Sequence, residues 1–159
     1  MKNRSLRRVP DALVLFGVLA SMASTAPAKT IRGTITEVKE PTLLVLRHEV
    51  GEYKVRIFGL ESPKSGTPLA VQAREKIEAL VLGKEVRLRF KLRNNKGEMV
   101  GRLFVDDAEV GVELVRAGLV KWDGSSEKNG ELEAAQQEAR DGKVGLWSDG
   151  KAAHPKGRP

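Results

Sequence analysis

The sequence predicts a mainly β fold with added helices (α+β), in which five strands form a barrel and about three α-helices accompany it. Three observations predict this class. Apolar and polar residues alternate in five short stretches, as in half-buried strands. The period becomes helical between the third and fourth stretches, and again twice after the fifth. The length of 159 residues suits one domain with a single hydrophobic core.

The first three strands follow one another closely. They cover residues 30–38, 42–47 and 53–59. Glu40-Pro41 separates the first two, and residues 49–52 separate the next two. Three sequential strands with short connections predict an antiparallel meander. A turn must follow the third strand, because Pro63 has no N–H to donate to a ladder.

A helix is predicted over residues 67–83. Five apolar residues share one of its faces: Ala70, Ala73, Ile77, Leu80 and Val81. Thr67 followed by Pro68 suits a helix start, and Gly83 suits its end.

The fourth strand, residues 84–93, alternates strictly. Its apolar face carries Val86, Leu88, Phe90 and Leu92. Its other face is a ladder of positive charge, formed by Arg87, Arg89, Lys91 and Arg93. This ladder is either a surface for nucleic acid or another polyanion, or a solvated face that keeps the strand soluble. The turn at residues 94–97 predicts a hairpin with the fifth strand, residues 99–105.

Two short helices are predicted after the fifth strand. They cover residues 110–117, ended by Gly118, and 131–140, ended by Gly142. Trp122 and Trp147 are expected to anchor the core. Five short strands with a helix between the third and fourth match an OB-type barrel with added helices.

Residues 1–28 have the pattern of a signal peptide. Four positive charges precede an apolar run, and small residues follow up to Ala26-Pro27-Ala28. The alternative is an uncleaved anchor, but the run is about half of the roughly 20 apolar residues that a spanning helix needs. We therefore expect an exported protein, periplasmic or secreted, with no membrane contact after cleavage. The basic tail, residues 148–159, is rich in Pro and Gly and is expected to be disordered.

The charge balance permits a polyanionic partner without requiring one. The net charge is +7, and it falls to +4 once residues 1–28 are set aside. The absence of cysteine excludes disulfides, thiolate catalysis and cysteine-based zinc sites. His48 and His154 are isolated and do not indicate a metal cluster.

Ordered sequence blocks carry a family likeness. They are VRIFGLESP (55–63), LGKEVRL (82–88), VGRLFV (100–105), GVELVRAGLVKW (111–122) and AAQQEARDGKVGLW (134–147). Each block alone is weak, but their order and spacing span nearly the whole chain after the signal. From Thr30 to Trp147 the chain resembles the thermonuclease family, also called staphylococcal nuclease-like domains. The resemblance implies an OB-fold barrel, which agrees with the fold predicted from the strand and helix pattern.

The resemblance also implies positions for two phosphate-facing arginines. Members of the family use two arginines, two calcium-binding aspartates and a glutamate proposed as general base. Arg56 and Arg102 match the two arginines. Planar guanidinium groups suit this role because they present paired donors to phosphate oxygens. The alternative for each is a strand residue that merely faces solvent.

Most of the remaining family positions depart from the pattern. Pro41 stands where a calcium-binding aspartate is expected, and Lys64 where the glutamate base is expected. Glu61 keeps an acid at a metal position, and Glu40 is a substitute for the lost ligand if calcium still binds. Val100 replaces the usual tyrosine before Gly-Arg.

Three hypotheses follow from these matches and departures. The favoured one is a domain that binds nucleic acid or another polyanion through Arg56 and Arg102, with calcium-dependent catalysis impaired. An active calcium-dependent phosphodiesterase that hydrolyses DNA or RNA is the alternative, and a protein-interaction module is the third. No cofactor is expected unless the calcium-dependent alternative holds, and a monomer is expected.

Overall fold

The computed structural model describes residues 29–124 and 129–148. The predicted signal peptide lies outside the described residues, as do His154 and all of the predicted tail after Ser148.

The described residues form five long strands and three short ones. In chain order they are β1 (Lys29–Glu40), β2 (Leu43–His48), β3 (Gly51–Ile57), β4 (Leu60–Glu61), β5 (Glu85–Arg93), β6 (Met99–Val105), β7 (Ala108–Glu109) and β8 (Lys121–Trp122). The five long strands are those that the alternation predicted, with ends that differ by at most two residues. The two-residue strands β4, β7 and β8 were not predicted, because two residues are too few to show a period.

The five long strands close into a barrel. Strands β1, β2 and β3 pair in sequence and antiparallel, which confirms the predicted meander. Strand β5 pairs antiparallel with β1 and with β6. The parallel pairing of β3 with β6 closes the barrel. The mainly β, α+β fold with a five-stranded OB-type barrel is therefore confirmed.

Three α-helices of the described residues accompany the barrel, as predicted. They are α1 (Pro68–Val81), α2 (Val110–Arg116) and α3 (Gly130–Asp141), and a 3₁₀ turn (Gly145–Trp147) follows. Helix α1 begins as its sequence indicates, because the Thr67 hydroxyl accepts a hydrogen bond from the Ala70 amide at 3.2 Å. None of the described helices is long and apolar enough to cross a membrane.

The core fills the barrel and continues under the helices. Its fully buried members include Ile35, Leu44, Leu46, Val55, Ile77, Leu88, Leu103, Leu114 and Val120. Trp147 is buried and Trp122 packs against the cluster while partly exposed, so both tryptophans anchor the core as predicted.

Gly118 and Gly145 hold the 3₁₀ turn against the end of α2. Their backbones touch, and the Leu146 amide donates a hydrogen bond to the Gly118 carbonyl at 2.8 Å. Both glycines have positive φ, and a Cβ on Gly145 would lie 2.6 Å from the Gly118 carbonyl carbon. This contact fixes the backbone of Leu146 and Trp147 against the residues that follow α2.

Strand β5 does not keep its strict alternation to the end. Phe90 pairs with Gly101 and Leu92 pairs with Val100, so Lys91 is an extra residue at a β-bulge. Beyond the bulge, Arg93 pairs with the buried Met99. The prediction of one continuous charged face over residues 87–93 is therefore wrong after Phe90, because a bulge reverses the face that later residues take.

Candidate nucleic-acid interface

Arg56 and Arg102 occupy neighbouring positions on one outer face of the barrel. Val55 and Ile57 are buried, so Arg56 between them faces outward. The parallel register places Arg56 beside Val100 of β6, and Arg102 lies two residues further along the same face. The two arginines selected by the family likeness are thus brought together by barrel closure.

A buried carboxylate holds Arg56. Its Nε and Nη2 donate hydrogen bonds to the two oxygens of Glu98, at 2.8 and 3.3 Å. Its Nη1 lies 3.5 Å from a carboxylate oxygen of Glu40. The Glu98 side chain is 5% exposed and that of Arg56 is 29% exposed. This fork fixes the guanidinium plane and leaves an edge of it open to solvent.

The surroundings of Glu98 keep its carboxyl ionised. Hydrogen bonding from Arg56 lowers the pKa of Glu98 to about 2, with help from Asn94 and against the opposing effect of burial. The same hydrogen bond raises the pKa of Arg56. The Asn94 side chain donates to Glu98 at 2.8 Å and accepts from the Glu98 and Lys96 amides, so the predicted turn at residues 94–97 supports the pair.

Arg102 is held in a similar way by a second buried carboxylate. Its Nη2 donates to Glu109, whose side chain is 4% exposed. The Arg102 guanidinium also lies 5.6 Å from the ring centre of Phe104. Sequence reasoning missed both Glu98 and Glu109. The signal was an acid immediately before β6 and another at the end of β7, but an acid beside a turn is ordinarily solvated.

Two arginines of the predicted ladder extend this face. Arg89 pairs across the sheet with Arg102, and Arg87 pairs with Phe104. Arg87 lies 3.3 Å from Asp107 and its guanidinium is 5.2 Å from the Phe104 ring centre. Arg89 is exposed and makes no hydrogen bond or ion pair with another described residue. We call the set Arg56, Arg102, Arg89 and Arg87 the cationic strip.

Arg93 of the ladder does not join the strip in the structure. The Arg93 guanidinium lies 5.4 Å from the Tyr53 ring centre and donates to the Gly97 carbonyl. Lys91 is the extra residue of the bulge, and its side chain is not among those described.

The turn after β4 lies beside the turn that joins β1 to β2. The hydroxyls of Ser62 and Thr42 are 2.8 Å apart, and Thr42 is almost fully buried. Glu61 pairs with Lys121 in the register of β4 and β8, with 3.6 Å between the carboxylate oxygen and Nζ. Lys64 is exposed, and its ammonium has no hydrogen bond or ion pair within the described part of the chain.

The two candidate calcium ligands each stand next to a cation. Glu40 lies beside Arg56, and Glu61 lies beside Lys121. Pro41, between Glu40 and Thr42, is buried. Within residues 29–124 and 129–148, no group of three His, Cys, Asp or Glu side chains is placed to hold a metal ion.

Comparison with known proteins gives one family and several distant relatives. The family model described as staphylococcal nuclease homologue matches residues 54–149. The staphylococcal-like nuclease CAN1 of Arabidopsis thaliana is 26% identical over 104 residues, which are 65% of this chain and 32% of that protein. An uncharacterized 38.1 kDa protein of Capnoides sempervirens is also 26% identical, over 65% of this chain and 31% of its own length.

A bacterial relative matches over more of its length. An uncharacterized endonuclease of Escherichia coli is 25% identical over 126 residues, which are 79% of this chain and 82% of that protein. The chain therefore spans about a third of the plant relatives and most of the bacterial one.

Proposed function

The chain belongs to the staphylococcal nuclease homologue family, and from that membership we propose that it binds nucleic acid or a similar polyanion through the cationic strip, with calcium-dependent catalysis impaired. We further propose that it acts as a monomer after export, in the periplasm or outside the cell. The signal-peptide pattern of residues 1–28 supports export.

The observation that carries the binding proposal is the pairing of Arg89 with Arg102. Two positive side chains directly opposite each other on adjacent strands repel, which costs stability. Arg102 has Glu109 to offset this repulsion, whereas Arg89 makes no ion pair with another described residue. A phosphate placed between the two guanidinium groups removes the repulsion and gains charge-assisted hydrogen bonds.

The glutamates that hold Arg56 and Arg102 are compatible with phosphate binding. A guanidinium has five N–H donors, so an arginine oriented by one carboxylate keeps donors for a ligand. Both arginine side chains stay about a third exposed. Buried Glu98 and Glu109 fix the orientation before a ligand arrives, which lowers the entropy cost of binding.

The carboxylates do not fit a calcium site. Calcium takes six to eight oxygen ligands, usually from several carboxylates. Glu40 and Glu61 are each already next to a cation, and Pro41 offers no side-chain oxygen. The ammonium of Lys64 would also repel a divalent ion close by. Loss of a general base alone costs on the order of 10² to 10⁴ in rate, so these features support impaired catalysis.

The second candidate function is a calcium-dependent phosphodiesterase. The nuclease and endonuclease names of the relatives favour it, and Arg56 and Arg102 remain available to stabilise phosphate charge. It would have to recruit Glu61 and Glu40 for the metal and find a replacement for the base. A protein-interaction module, with the strip as a soluble surface, is the third candidate.

One binding experiment separates the three candidates. Fluorescent single-stranded DNA and RNA are titrated with the purified protein across a salt series, with calcium or with a chelator. We expect binding without cleavage that weakens steeply as salt rises. Arg89→Gln should lower the salt slope by about one unit. Arg74→Gln is the matched control, because Arg74 is an exposed arginine on α1 paired with Glu78.

Three outcomes would overturn the proposal. Cleavage that the chelator abolishes and that Arg56→Ala also abolishes would establish the phosphodiesterase. Absence of salt-dependent binding even at low salt would favour the protein-interaction module. An equal loss of affinity in Arg89→Gln and Arg74→Gln would show that net charge, and not the strip, governs binding.

A further inference from the structure

A small cleft lies on the side of the Glu61–Lys64 turn that faces β8 and the 3₁₀ turn. It has a volume of about 230 Å³ and is lined by Glu61, Ser62, Pro63, Lys64, Lys121, Leu146 and Trp147. We propose that this cleft binds a phosphomonoester, such as the terminal phosphate of a nucleic-acid strand or a free phosphate. The affinity of the cleft for phosphate does not depend on the proposed function. The assignment of that phosphate to the end of a nucleic-acid strand rests on the proposed function.

The charges in the cleft favour an anion. Lys64 and Lys121 bring two ammonium groups, and Glu61 brings one carboxylate. The 3.6 Å between Glu61 and Lys121 is too long for a hydrogen bond, so the Lys121 ammonium keeps its donors for another acceptor. The Lys64 ammonium has no hydrogen bond or ion pair to a described residue. Two ammonium groups and one carboxylate give the cleft a net positive charge.

The base of the cleft is apolar and fixed. Trp147 is buried, and the Arg140 guanidinium lies over its ring, 4.6 Å from the centre. The contact between Gly118 and Gly145 holds the backbone of this segment in place. Arg140 therefore rigidifies the floor and adds a third positive charge behind it.

Size and charge together favour a phosphomonoester over a larger ligand. Pockets for drug-sized molecules are typically about 300–1,000 Å³, so this cleft suits a phosphate with part of an attached sugar. A phosphomonoester carries about −1.5 to −2 at pH 7, against about −1 for an internal diester. Lys64, Lys121 and Arg140 behind the floor, set against Glu61, leave a net charge of about +2, which matches the more highly charged group.

The turn that lines the cleft also contacts the region of the strip. Ser62 bonds to Thr42, and Glu40, two residues before Thr42, lies beside Arg56. The turn thus separates the cleft from the Arg56 end of the cationic strip. A strand whose internal phosphates follow the strip can place its terminal phosphate in the cleft.

The test compares strand ends. Fluorescent single-stranded 12-mers of one sequence carry a 5′ phosphate, a 3′ phosphate or no terminal phosphate, and each is titrated with the full chain. We expect one phosphorylated end to bind about fivefold tighter than the unphosphorylated strand. Lys64→Gln and Lys121→Gln should each bring this ratio close to one. Lys76→Gln on the exposed face of α1 should leave it unchanged.

A second arm uses inorganic phosphate and does not depend on nucleic-acid binding. The chain has two tryptophans, so Trp122→Phe leaves Trp147 as the fluorescent reporter in the cleft. Phosphate, at constant ionic strength, should change this fluorescence, and Lys64→Gln should abolish the change. If Trp122→Phe does not fold, the increase in Tm caused by phosphate in the unaltered chain and in its lysine variants replaces it.

The outcomes are distinct. A phosphate response without preference for phosphorylated ends supports the cleft and assigns it to free phosphate. An end preference that survives both lysine variants, together with no lysine-dependent phosphate response, overturns the proposal. Arg89→Gln should weaken the binding of all three 12-mers to the same degree, because Arg89 belongs to the strip and not to the cleft. Failure of the proposed function can therefore be told apart from failure of the cleft proposal.

Discussion

Glu98 joins three parts of the molecule through a single buried carboxylate. It lies immediately before β6 and accepts two hydrogen bonds from Arg56 on β3. It accepts a third from the Asn94 side chain in the preceding turn. A buried charge is costly unless it is paired and hydrogen-bonded, and here both conditions are met. The residue therefore stabilises the fold and orients Arg56 at the same time.

Glu98→Gln should lower the free energy of unfolding at pH 7 by about 2–3 kcal/mol, because it removes one charge of a largely buried pair. The folded-state pKa of about 2 lies below the ordinary 4.5. The stabilisation is therefore complete above pH 4.5 and is lost as the pH falls through 2. Urea unfolding of both proteins between pH 7 and pH 2 checks this, and the two curves should converge at the acid end.

The control for this prediction is Glu52→Gln. Glu52 pairs with Arg47 at the surface, where both side chains are more than half exposed. Exposed pairs contribute little, so this change should alter stability by about 0.5 kcal/mol or less. An equal effect of the two substitutions would contradict the special position of Glu98.

Individual site residues were predictable only where their type and position both pointed to function. Arg56 and Arg102 were selected by the family likeness, and alternation alone placed Arg56 on an outer face. Glu98 and Glu109 could not be selected, because burial of an acid depends on which arginine the barrel brings next to it. That juxtaposition is tertiary and has no local sequence period.

At the level of elements, the β5–β6 hairpin determines the shape of the interface. The bulge at Lys91 turns Arg93 away from the strip, so the strip is shorter than the charge pattern predicts. Gly101 lies opposite Phe90, immediately before the bulge, and a Cβ there would collide with backbone atoms of Arg89 and Phe90. Close approach of the two strands therefore requires glycine beside Arg102.

Gly101→Ala should destabilise the fold by about 1–3 kcal/mol, the usual cost of overpacking, because its Cβ would lie 2.8 Å from the Phe90 Cα. Backbone cannot move aside as a flexible side chain can. Thermal unfolding measures the loss. Gly130→Ala is the control, since it lies in the first turn of α3 with open space around its Cβ and should be neutral or slightly stabilising. A neutral Gly101→Ala would contradict the close approach.

The long elements were predictable because each shows its own period over enough residues. Five alternating runs gave the five barrel strands, and caps such as Thr67 gave the start of α1. The bulge escaped prediction because Lys91 continues the alternating pattern perfectly. Its extra residue is visible only in the pairing with β6.

At the level of the whole molecule, barrel closure creates the interface. The parallel pairing of β3 with β6 places Arg56 beside Val100 and brings Glu98 within reach. Local pattern predicts the antiparallel neighbours, since they follow one another in sequence, but not which strands close the barrel. Only the family likeness selected Arg56 and Arg102 as the two phosphate-facing arginines.

The same architecture allows the missing calcium ligands to be restored. The hydrogen bond between Thr42 and Ser62 holds positions 41 and 61 near each other, on either side of two adjoining turns. Pro41→Asp with Lys64→Glu would add two carboxylates to Glu61 and remove a repelling cation, so calcium affinity should rise at least about tenfold. Calorimetric titration with calcium measures the gain, and Lys76→Glu on α1 controls for net charge. An unchanged titration in the double variant would mean that these three positions do not converge on one ion.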